Sequence, residues 1–345
     1  MNKGIFSIPV YNQNISMTKM LNEVIDQVIK ADQWGLSEAF FGEHITDKHE
    51  KITSSLMMVA TLAKLTKKIK LGTLTTNLNF YNPAVIAALV SIADNLSEGR
   101  LMLGVGSGAN MSDIEAINSI DKNNHSLTLE IETIVKKLLK SESLVNIESE
   151  NYKVSTEKYG NEDLGLGYFN SLYNKRDDLD IIMPALNANS YNVKLCAKNK
   201  WSIVISNFCS EEIIDNHISS YLENSPLDAK EAFKKIKLSK LIFAHKNKDK
   251  AKDLVFSDRS PFMEVINAIY TKLKTYDKHS CFGKNINSLQ DAAKSIMLYG
   301  NPDQISEHLI NKYKDLSSII YVTVPITGND DFDNSLEIFS KHVRV

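Results

Sequence analysis

Short β-rich runs alternate with helical patterns along most of this 345-residue chain, and this alternation limits the possible fold more than any other feature. The runs predict eight strands: Gly4–Ile8, Glu38–Phe41, Ile69–Leu74, Leu101–Val105, Leu179–Met183, Ile203–Ile205, Leu238–Ala244 and Ile319–Val324. The segments between them place apolar residues at helical spacing. Strands that alternate with helices favour a parallel sheet, either closed as a (β/α)8 barrel or open and doubly wound.

The strand count and two long excursions favour the barrel, an α/β TIM barrel with insertions after strands 4 and 7. Residues 141–178 are polar with weak periodicity and predict an excursion with one hairpin, whereas residues 247–314 show helical patterns and predict no strand. Gly35 and Gly99 are expected to end helices, because this position often requires a positive φ. No repeat or linker divides the chain, so one domain over residues 1–345 is predicted.

Composition narrows the class of protein. The chain is 43% hydrophobic, which is ample for a core, and its 40 basic and 42 acidic residues leave a net charge of -2. That balance predicts neither a nucleic-acid nor a membrane partner. Three cysteines without a CxxC pair, an N-terminus unlike a signal peptide and no apolar window long enough for a bilayer predict a cytoplasmic protein. The eight histidines have no metal-ligand spacing, so no metal site is expected.

Small and polar residues follow five successive predicted strands, from the second to the sixth. They are Glu43 and His44, then Thr75, Thr76 and Asn77, then Gly106 and Ser107, then Asn189, Ser190 and Tyr191, then Ser206 and Asn207. Because the carboxyl ends of parallel strands share one rim, this set suits a large heteroaromatic ligand with a phosphate. A helix beginning at Ser190 would offer a phosphate site, although serine and asparagine are also ordinary cap and turn residues. His44 is either a proton-transfer group or a structural hydrogen-bonding residue.

The run Gly104-Val105-Gly106-Ser107-Gly108-Ala109 partly matches a dinucleotide-binding fingerprint. Three strand–helix units precede it, and no acidic strand end follows at the usual spacing. Its small residues are equally suited to a close approach of backbone to backbone, or of backbone to a flat ring.

Four motifs resemble the bacterial luciferase-like flavin monooxygenases, and within them the limonene-monooxygenase type. They are Ser37-Glu38-Ala39-Phe40-Phe41-Gly42-Glu43-His44-Ile45-Thr46-Asp47, then Leu71-Gly72-Thr73-Leu74-Thr75-Thr76-Asn77-Leu78, then Asn82-Pro83-Ala84, then Asp94 to Gly108. The resemblance covers residues 1–120, returns more weakly over residues 187–197 and includes Gly300-Asn301-Pro302 before the last helix.

This resemblance implies a barrel that binds FMN at its rim, often as a homodimer. By analogy His44 is the active-site histidine, Thr75, Thr76 and Asn77 lie beside the isoalloxazine near a non-prolyl cis peptide, and Gly106 lies against the ring. Glu43 is assigned to the cofactor with them, although it could equally be a surface or helix-end carboxylate. Asn189, Ser190 and Tyr191 match the phosphate-binding helix start.

The chain departs from luciferases proper at Ser107, where they carry a phosphate-binding arginine. Only four of its 40 basic residues are arginine, so either backbone amides and neutral side chains bind the phosphate, or FMN binds weakly. Arg100 is expected on the side of the barrel away from the rim. Arg176 and Arg259 are then the arginines able to reach the mouth of the barrel, the rim at the carboxyl ends of the strands.

The leading hypothesis is a monooxygenase that uses reduced FMN and O2 on a small organic substrate, together with a separate flavin reductase. Residues 141–178 and 245–295 are expected to form a lid and a substrate wall. One alternative is a deazaflavin- or NAD(P)H-linked oxidoreductase of the same fold. The other alternative is a non-catalytic flavin-binding barrel.

Overall fold

The computed structural model describes residues 1–7, 10–176, 179–275, 279–283 and 286–345. The strands are β1 (Asn2–Ser7), β2 (Glu38–Phe41), β3 (Lys70–Thr73), β4 (Thr76–Asn77), β5 (Leu101–Gly106), β6 (Asn146–Glu148), β7 (Lys153–Ser155), β8 (Asp180–Ala185), β9 (Ser202–Ile205), β10 (Ile236–Ala244), β11 (Met297–Gly300) and β12 (Ser318–Val322). The helices are α1 (Met17–Gln33), α2 (Ser55–Ala63), α3 (Pro83–Leu96), α4 (Met111–Ala116), α5 (Asn124–Lys140), α6 (Tyr191–Asn199), α7 (Glu211–Asn224), α8 (Ala229–Phe233), α9 (Lys248–Val255), α10 (Pro261–Thr275), α11 (Leu289–Ile296), α12 (Pro302–Tyr313), α13 (Asp330–Asp333) and α14 (Ser335–His342). Short 3-10 helices cover Leu78–Phe80, Tyr173–Lys175 and His279–Phe282.

All eight predicted strands are present, as β1, β2, β3, β5, β8, β9, β10 and β12, although Ile8 of the first lies outside the described residues. Helices connect successive strands, and the strand order is that of a closed parallel barrel, so the predicted (β/α)8 fold is confirmed. The hairpin predicted within residues 141–178 is also confirmed, because β6 and β7 pair antiparallel. Strand β11 corrects the sequence analysis, which predicts no strand there; it pairs with β10.

The chain divides into two compact units, and the prediction of one domain over residues 1–345 stays a prediction. The first unit comprises Met1–Phe40 and Ile182–Val345, and the second comprises Phe41–Ile181. In the first unit β9, β10, β12 and β1 pair in parallel in that order. A buried ion pair of 2.6 Å joins Lys237 of β10 to Glu38 of β2, so each charge has the partner that burial demands.

In the second unit, β5 pairs in parallel with both β3 and β4. The peptide bond between Leu74 and Thr75, which separates β3 from β4, is cis, as the resemblance implies for this position. Gly104 allows β5 to approach β3 closely, because a Cβ there would lie 1.8 Å from the backbone oxygen of Thr73. This contact fits the close-approach interpretation of the glycine-rich run.

Helix ends follow the expected residue chemistry. The Asn82 side chain accepts a hydrogen bond from the Ala84 N–H at the start of α3, and Pro83 is its first residue. Gly35 and Gly99 have φ angles of 82° and 78°, so both predicted helix stops are confirmed.

The segment after α5 lies at the opposite end of β5 from Gly106. Arg176, near the end of this segment, donates from Nη2 to the backbone oxygen of Leu101, the first residue of β5, at 3.2 Å. The described part of 141–178 therefore does not line the carboxyl end of this strand, and its predicted role as a lid there is wrong. The reason is topological: the segment follows the helix that returns from the carboxyl end, rather than the strand itself.

Within the described ranges, no helix is long and apolar enough to cross a membrane. The same ranges hold no group of three His, Cys, Asp or Glu side chains arranged to bind a metal. Cys196, Cys209 and Cys281 are buried and form no disulfide bond.

Candidate active site

Glu43 is a buried carboxylate just beyond β2 that joins three neighbouring segments. Its Oε1 accepts from the backbone N–H of Asn77 at 3.1 Å, and its Oε2 accepts from the N–H and hydroxyl of Ser55, both at 3.0 Å, and from the hydroxyl of Tyr81 at 3.2 Å. Burial raises the pKa of the Glu43 carboxyl, and these hydrogen bonds partly offset the rise. Both oxygens are thus engaged by the protein itself.

His44 lies between two carboxylates. Its Nδ1 is 3.0 Å from Oδ2 of Asp113, and its Nε2 is 3.6 Å from Oε2 of Glu50. The His44 side chain is 14% exposed, whereas that of Asp113 is almost fully buried. The imidazole is therefore oriented from one side and accessible from the other.

Asp113 is fixed by Thr46 as well as by His44. The N–H and hydroxyl of Thr46 donate to Oδ1 of Asp113 at 2.8 and 2.5 Å. Burial favours the neutral acid, but the hydrogen bonds from His44 and Thr46 outweigh it and lower the pKa of Asp113. An ionised Asp113 accepts a hydrogen bond from Nδ1–H of His44, which leaves Nε2 for proton exchange.

The residues predicted after the third predicted strand, now β3, form a hydrogen-bonded cluster around Glu43, and Gly106 at the end of β5 contacts this cluster. The Asn77 amide donates to the Glu43 backbone oxygen at 3.1 Å, the Thr75 hydroxyl donates to Oδ1 of Asn77 at 2.9 Å, and the Thr76 hydroxyl is 3.0 Å from that of Ser55. A Cβ on Gly106 would lie 2.3 Å from Oγ1 of Thr75, so only glycine fits this contact. Ser107 follows Gly106 and is half-buried.

Asn189, Ser190 and Tyr191 lie in the first unit, at the start of α6. Ser190 is the N-cap residue, but its side chain makes no capping hydrogen bond, and Tyr191 is 63% exposed. The first-turn N–H groups of α6 can therefore donate hydrogen bonds to an anion. Beneath this loop the buried ring of His217 hydrogen-bonds the backbone of Asn187, and burial lowers its pKa.

Two arginines are bound far from the strand ends named above. Arg100 donates to the backbone oxygens of Ile69 and Ala63, at the amino end of β3, as the sequence analysis expects. Arg176 forms an ion pair with the buried Asp94. The expectation that Arg176 reaches the mouth is therefore wrong, because this pair holds it at the amino end of β5.

Sequence reasoning missed Asp113 and Glu50, the two carboxylates beside His44. Asp113 is 69 positions from His44 along the chain, and no spacing rule connects the two residues. Glu50 falls in the polar loop after β2, where acidic residues are common. Only the position of Asp113 shortly after the fourth predicted strand could have indicated it.

The fold and this site define a class: (β/α)8-barrel proteins with a histidine–aspartate pair beyond the second strand. Residues 1–159 match the family model of the luciferase-like monooxygenases. The family resemblance predicted from the sequence is thus confirmed over residues 1–159, which are less than half of the chain.

Two curated relatives and one solved structure show the range of similar proteins. The limonene 1,2-monooxygenase of Rhodococcus erythropolis is 30% identical over 121 residues, which cover 34% of this chain and 31% of that protein. An F420-dependent glucose-6-phosphate dehydrogenase of Nocardia farcinica is 35% identical over 96 residues, covering 27% and 29%. The chain thus matches less than a third of the length of these relatives.

The solved structure is the oxygenating constituent of 3,6-diketocamphane monooxygenase from Pseudomonas putida, a type II Baeyer–Villiger monooxygenase in complex with FMN. It superposes with a TM-score of 0.86 at 20% identity, covering 99% of this chain and 97% of that one. At this identity the likeness shows a shared fold.

Proposed function

We propose that the protein is a flavin-dependent monooxygenase that oxygenates a small organic substrate with reduced FMN and O2. One oxygen atom would enter the substrate and the other would leave as water, while the flavin is oxidised. Reduced FMN supplies the electrons that activate O2. The observation that carries the proposal is His44, which is held by Asp113 and directly follows Glu43, the residue that binds Asn77.

His44 is the proposed catalytic residue, and its task is proton transfer. The hydrogen bond from Nδ1–H to Asp113 sets the tautomer and stabilises the imidazolium when Nε2 takes a proton. Glu50, at 3.6 Å from Nε2, adds a second negative charge near the ring. This arrangement lets His44 accept and return a proton without moving.

In the second unit, Thr75, Thr76, Asn77, Gly106 and Ser107 are proposed to bind the flavin ring. Small and hydroxyl side chains allow a flat ring to approach the backbone. Glu43 acts here as a positioning residue, because its four internal hydrogen bonds leave its oxygens committed to holding β4 in place.

In the first unit, Asn189, Ser190 and Tyr191 are proposed to bind the FMN phosphate. The fit rests on the uncapped N–H groups of α6 and on the hydroxyl of Ser190, which makes no capping bond. Backbone amides bind phosphate without arginine. Such a site is consistent with weak binding and with flavin that arrives from a separate reductase, the partner that we propose. The relative named an oxygenating constituent favours this arrangement.

A homodimer is proposed through α2 and α3. These neighbouring helices expose Met57, Val85, Leu89 and Ile92, with Met57 71% and Ile92 55% exposed. Asp94, the single charged residue of α3, is fully buried. A helix that is apolar on both its inner and outer faces is normally buried in an assembly, and a second copy of the chain offers a matching apolar face. The three buried cysteines, none of them in a disulfide bond, agree with the proposed cytoplasmic location.

The experiment that tests the proposal compares wild type with His44→Ala. Reduced FMN is supplied with O2 and a panel of small organic substrates, and oxygen uptake and product mass are measured. The variant should lose product formation but bind FMN within about twofold of wild type, by flavin fluorescence, because His44 makes no proposed contact with the phosphate. Unchanged turnover in the variant would refute the role of His44.

A deazaflavin-linked oxidoreductase is the second candidate, because one relative is an F420-dependent dehydrogenase. That function predicts reduction of the deazaflavin without oxygen uptake when an alcohol or sugar phosphate is supplied anaerobically. A protein that binds FMN and transforms nothing on either panel is instead the non-catalytic flavin-binding barrel.

A further inference from the structure

A cleft of about 440 Å³ lies in the second unit between the end of α5 and residues 168–176. We call it the α5 cleft, and the residues of its wall that matter here are Leu139, Lys140, Tyr168, Phe169, Lys175 and Arg176. Its volume falls within the range of small-molecule sites.

The α5 cleft is remote from Gly106. Arg176 contacts the backbone oxygen of Leu101, which begins β5, whereas Gly106 ends this strand. Five residue steps at about 3.3 Å each put roughly 17 Å between the two ends. A molecule in the cleft would therefore not occupy the flavin-ring site proposed above.

One wall of the cleft is held rigidly by the rest of the unit. Asp94 is fully buried and accepts from the backbone N–H of Tyr173 at 2.9 Å and from Nε of Arg176 at 3.1 Å. The next residues in this turn, Asn174 and Lys175, both have a φ of 51°. Consecutive left-handed residues other than glycine cost energy and persist only where the surroundings impose them, which is frequent at binding sites.

Among the described lysine and arginine side chains that line the cleft, Lys140 is the one without a described ion pair. Lys175 pairs with Glu142 at 3.1 Å, and Arg176 pairs with Asp94. No described hydrogen bond or ion pair occupies the side chain of Lys140, which is exposed at the end of α5. A single negative charge on a ligand would balance it.

The rest of the wall is suited to a flat apolar body. Leu139 is buried, Phe169 is half-buried and Tyr168 is 38% exposed, so two aromatic rings remain available for stacking. We propose that the α5 cleft is a second ligand site, which takes a planar aromatic monoanion such as an aromatic carboxylate or sulfonate. The ring would pack on Tyr168 and Phe169, and the acid group would pair with Lys140.

The test uses two fluorescent probes that share one ring system. 8-Anilinonaphthalene-1-sulfonate carries the negative charge, and N-phenyl-1-naphthylamine lacks it. Each is titrated into the full-length protein, with and without FMN, in wild type and in Lys140→Gln, Phe169→Ala and Lys137→Gln. Lys137 is exposed one turn earlier on α5 and does not line the cleft, so its variant is the matched control.

Wild type should bind the anionic probe saturably, with the same affinity with and without FMN. Lys140→Gln should weaken the anionic probe about fivefold and leave the neutral probe unchanged, since one exposed charge-assisted contact is lost. Phe169→Ala should weaken the binding of both probes. Lys137→Gln should change the binding of neither probe by more than about twofold, and a further variant, Lys140→Arg, should bind the anionic probe like wild type. Equal effects of Lys137→Gln and Lys140→Gln, no effect of Lys140→Gln, or displacement by FMN would overturn the proposal. Unchanged circular dichroism of the variants excludes misfolding as the cause.

Discussion

Replacing Asp113 by asparagine tests the histidine–aspartate pair directly, because the structure predicts which way the new amide will face. Oδ1 of Asp113 accepts from the Thr46 N–H and hydroxyl, and Oδ2 is 3.0 Å from Nδ1 of His44. A backbone N–H can only donate, so the amide oxygen must stay with Thr46 and the NH2 group must face His44. Nδ1 then has to accept, and the ring proton moves to Nε2.

The expected loss follows from this change of tautomer. In wild type, Nδ1–H donates to an ionised Asp113, a charge-assisted hydrogen bond that contributes about 1.5–3 kcal/mol. In the variant Nε2 already carries the ring proton, so it can accept a proton only from the less stable tautomer, in which Nδ1–H lacks this hydrogen bond. Since about 1.4 kcal/mol is a factor of ten, the step in which His44 accepts a proton should slow by about 10- to 100-fold. The fold should be retained, because asparagine has nearly the same shape.

Two measurements check this reasoning. Nitrogen-15 NMR of histidine-labelled protein reports the tautomer of His44 without any substrate, and oxygen uptake with reduced FMN across pH reports its effect on the reaction. Glu50→Gln serves as the control, since Oε2 of Glu50 is 3.6 Å from Nε2 of His44, beyond hydrogen-bond distance, and its loss should change the rate less than about fivefold. An Asp113→Asn protein with the wild-type tautomer and pH profile would refute the assigned geometry.

Three further predictions concern stability and assembly. In a urea titration, Gly104→Ala should lower the free energy of unfolding by about 3 kcal/mol, because the new Cβ would lie 1.8 Å from the backbone of β3. The control is Gly165→Ala, which has a φ of 64° and open space around the new Cβ, and which should lower the free energy of unfolding by about 1 kcal/mol. Burial lowers the pKa of Lys240 to about 8, so the unfolded chain binds the Lys240 proton more tightly than the folded protein does. The free energy of unfolding should therefore increase by about 3 kcal/mol as pH rises from 8 to 10.5. Lys240→Met should lack that rise, and equal pH profiles for the two proteins would contradict the assignment. The double variant Leu89→Glu with Ile92→Glu should sediment as a monomer if α3 forms the proposed dimer interface, and an unchanged dimer would place the interface elsewhere.

The barrel could be predicted from the sequence because each buried parallel strand is a short apolar run between helical patterns. Strand β11 could not be predicted in this way, because Met297 to Gly300 directly follows α11 and no turn signal separates the strand from the helix. The position of residues 141–178 was predictable in principle. A helix that follows a strand returns to the amino end, so an insertion after α5 must begin there.

The candidate site was predictable only in part. His44 could be singled out by its place after the second strand, but its partner Asp113 lies on α4, and the pairing depends on tertiary structure. The four internal donors around Glu43 are not visible in the sequence, and its predicted role in cofactor binding stays a prediction. Arg176 was expected at the mouth because its partner Asp94 lies 82 positions away.

The four hydrogen bonds of Glu43 also bear on how this part of the molecule opens. The N–H of Ser55 begins α2 and the N–H of Asn77 belongs to β4, yet both donate to the same carboxylate. Neither segment can detach without leaving a buried charge under-bonded, so they should open as one cooperative unit. The two amide protons should therefore exchange with solvent at matching rates, although 22 positions separate them. Glu43→Gln should accelerate both together and leave the β5 amides slow.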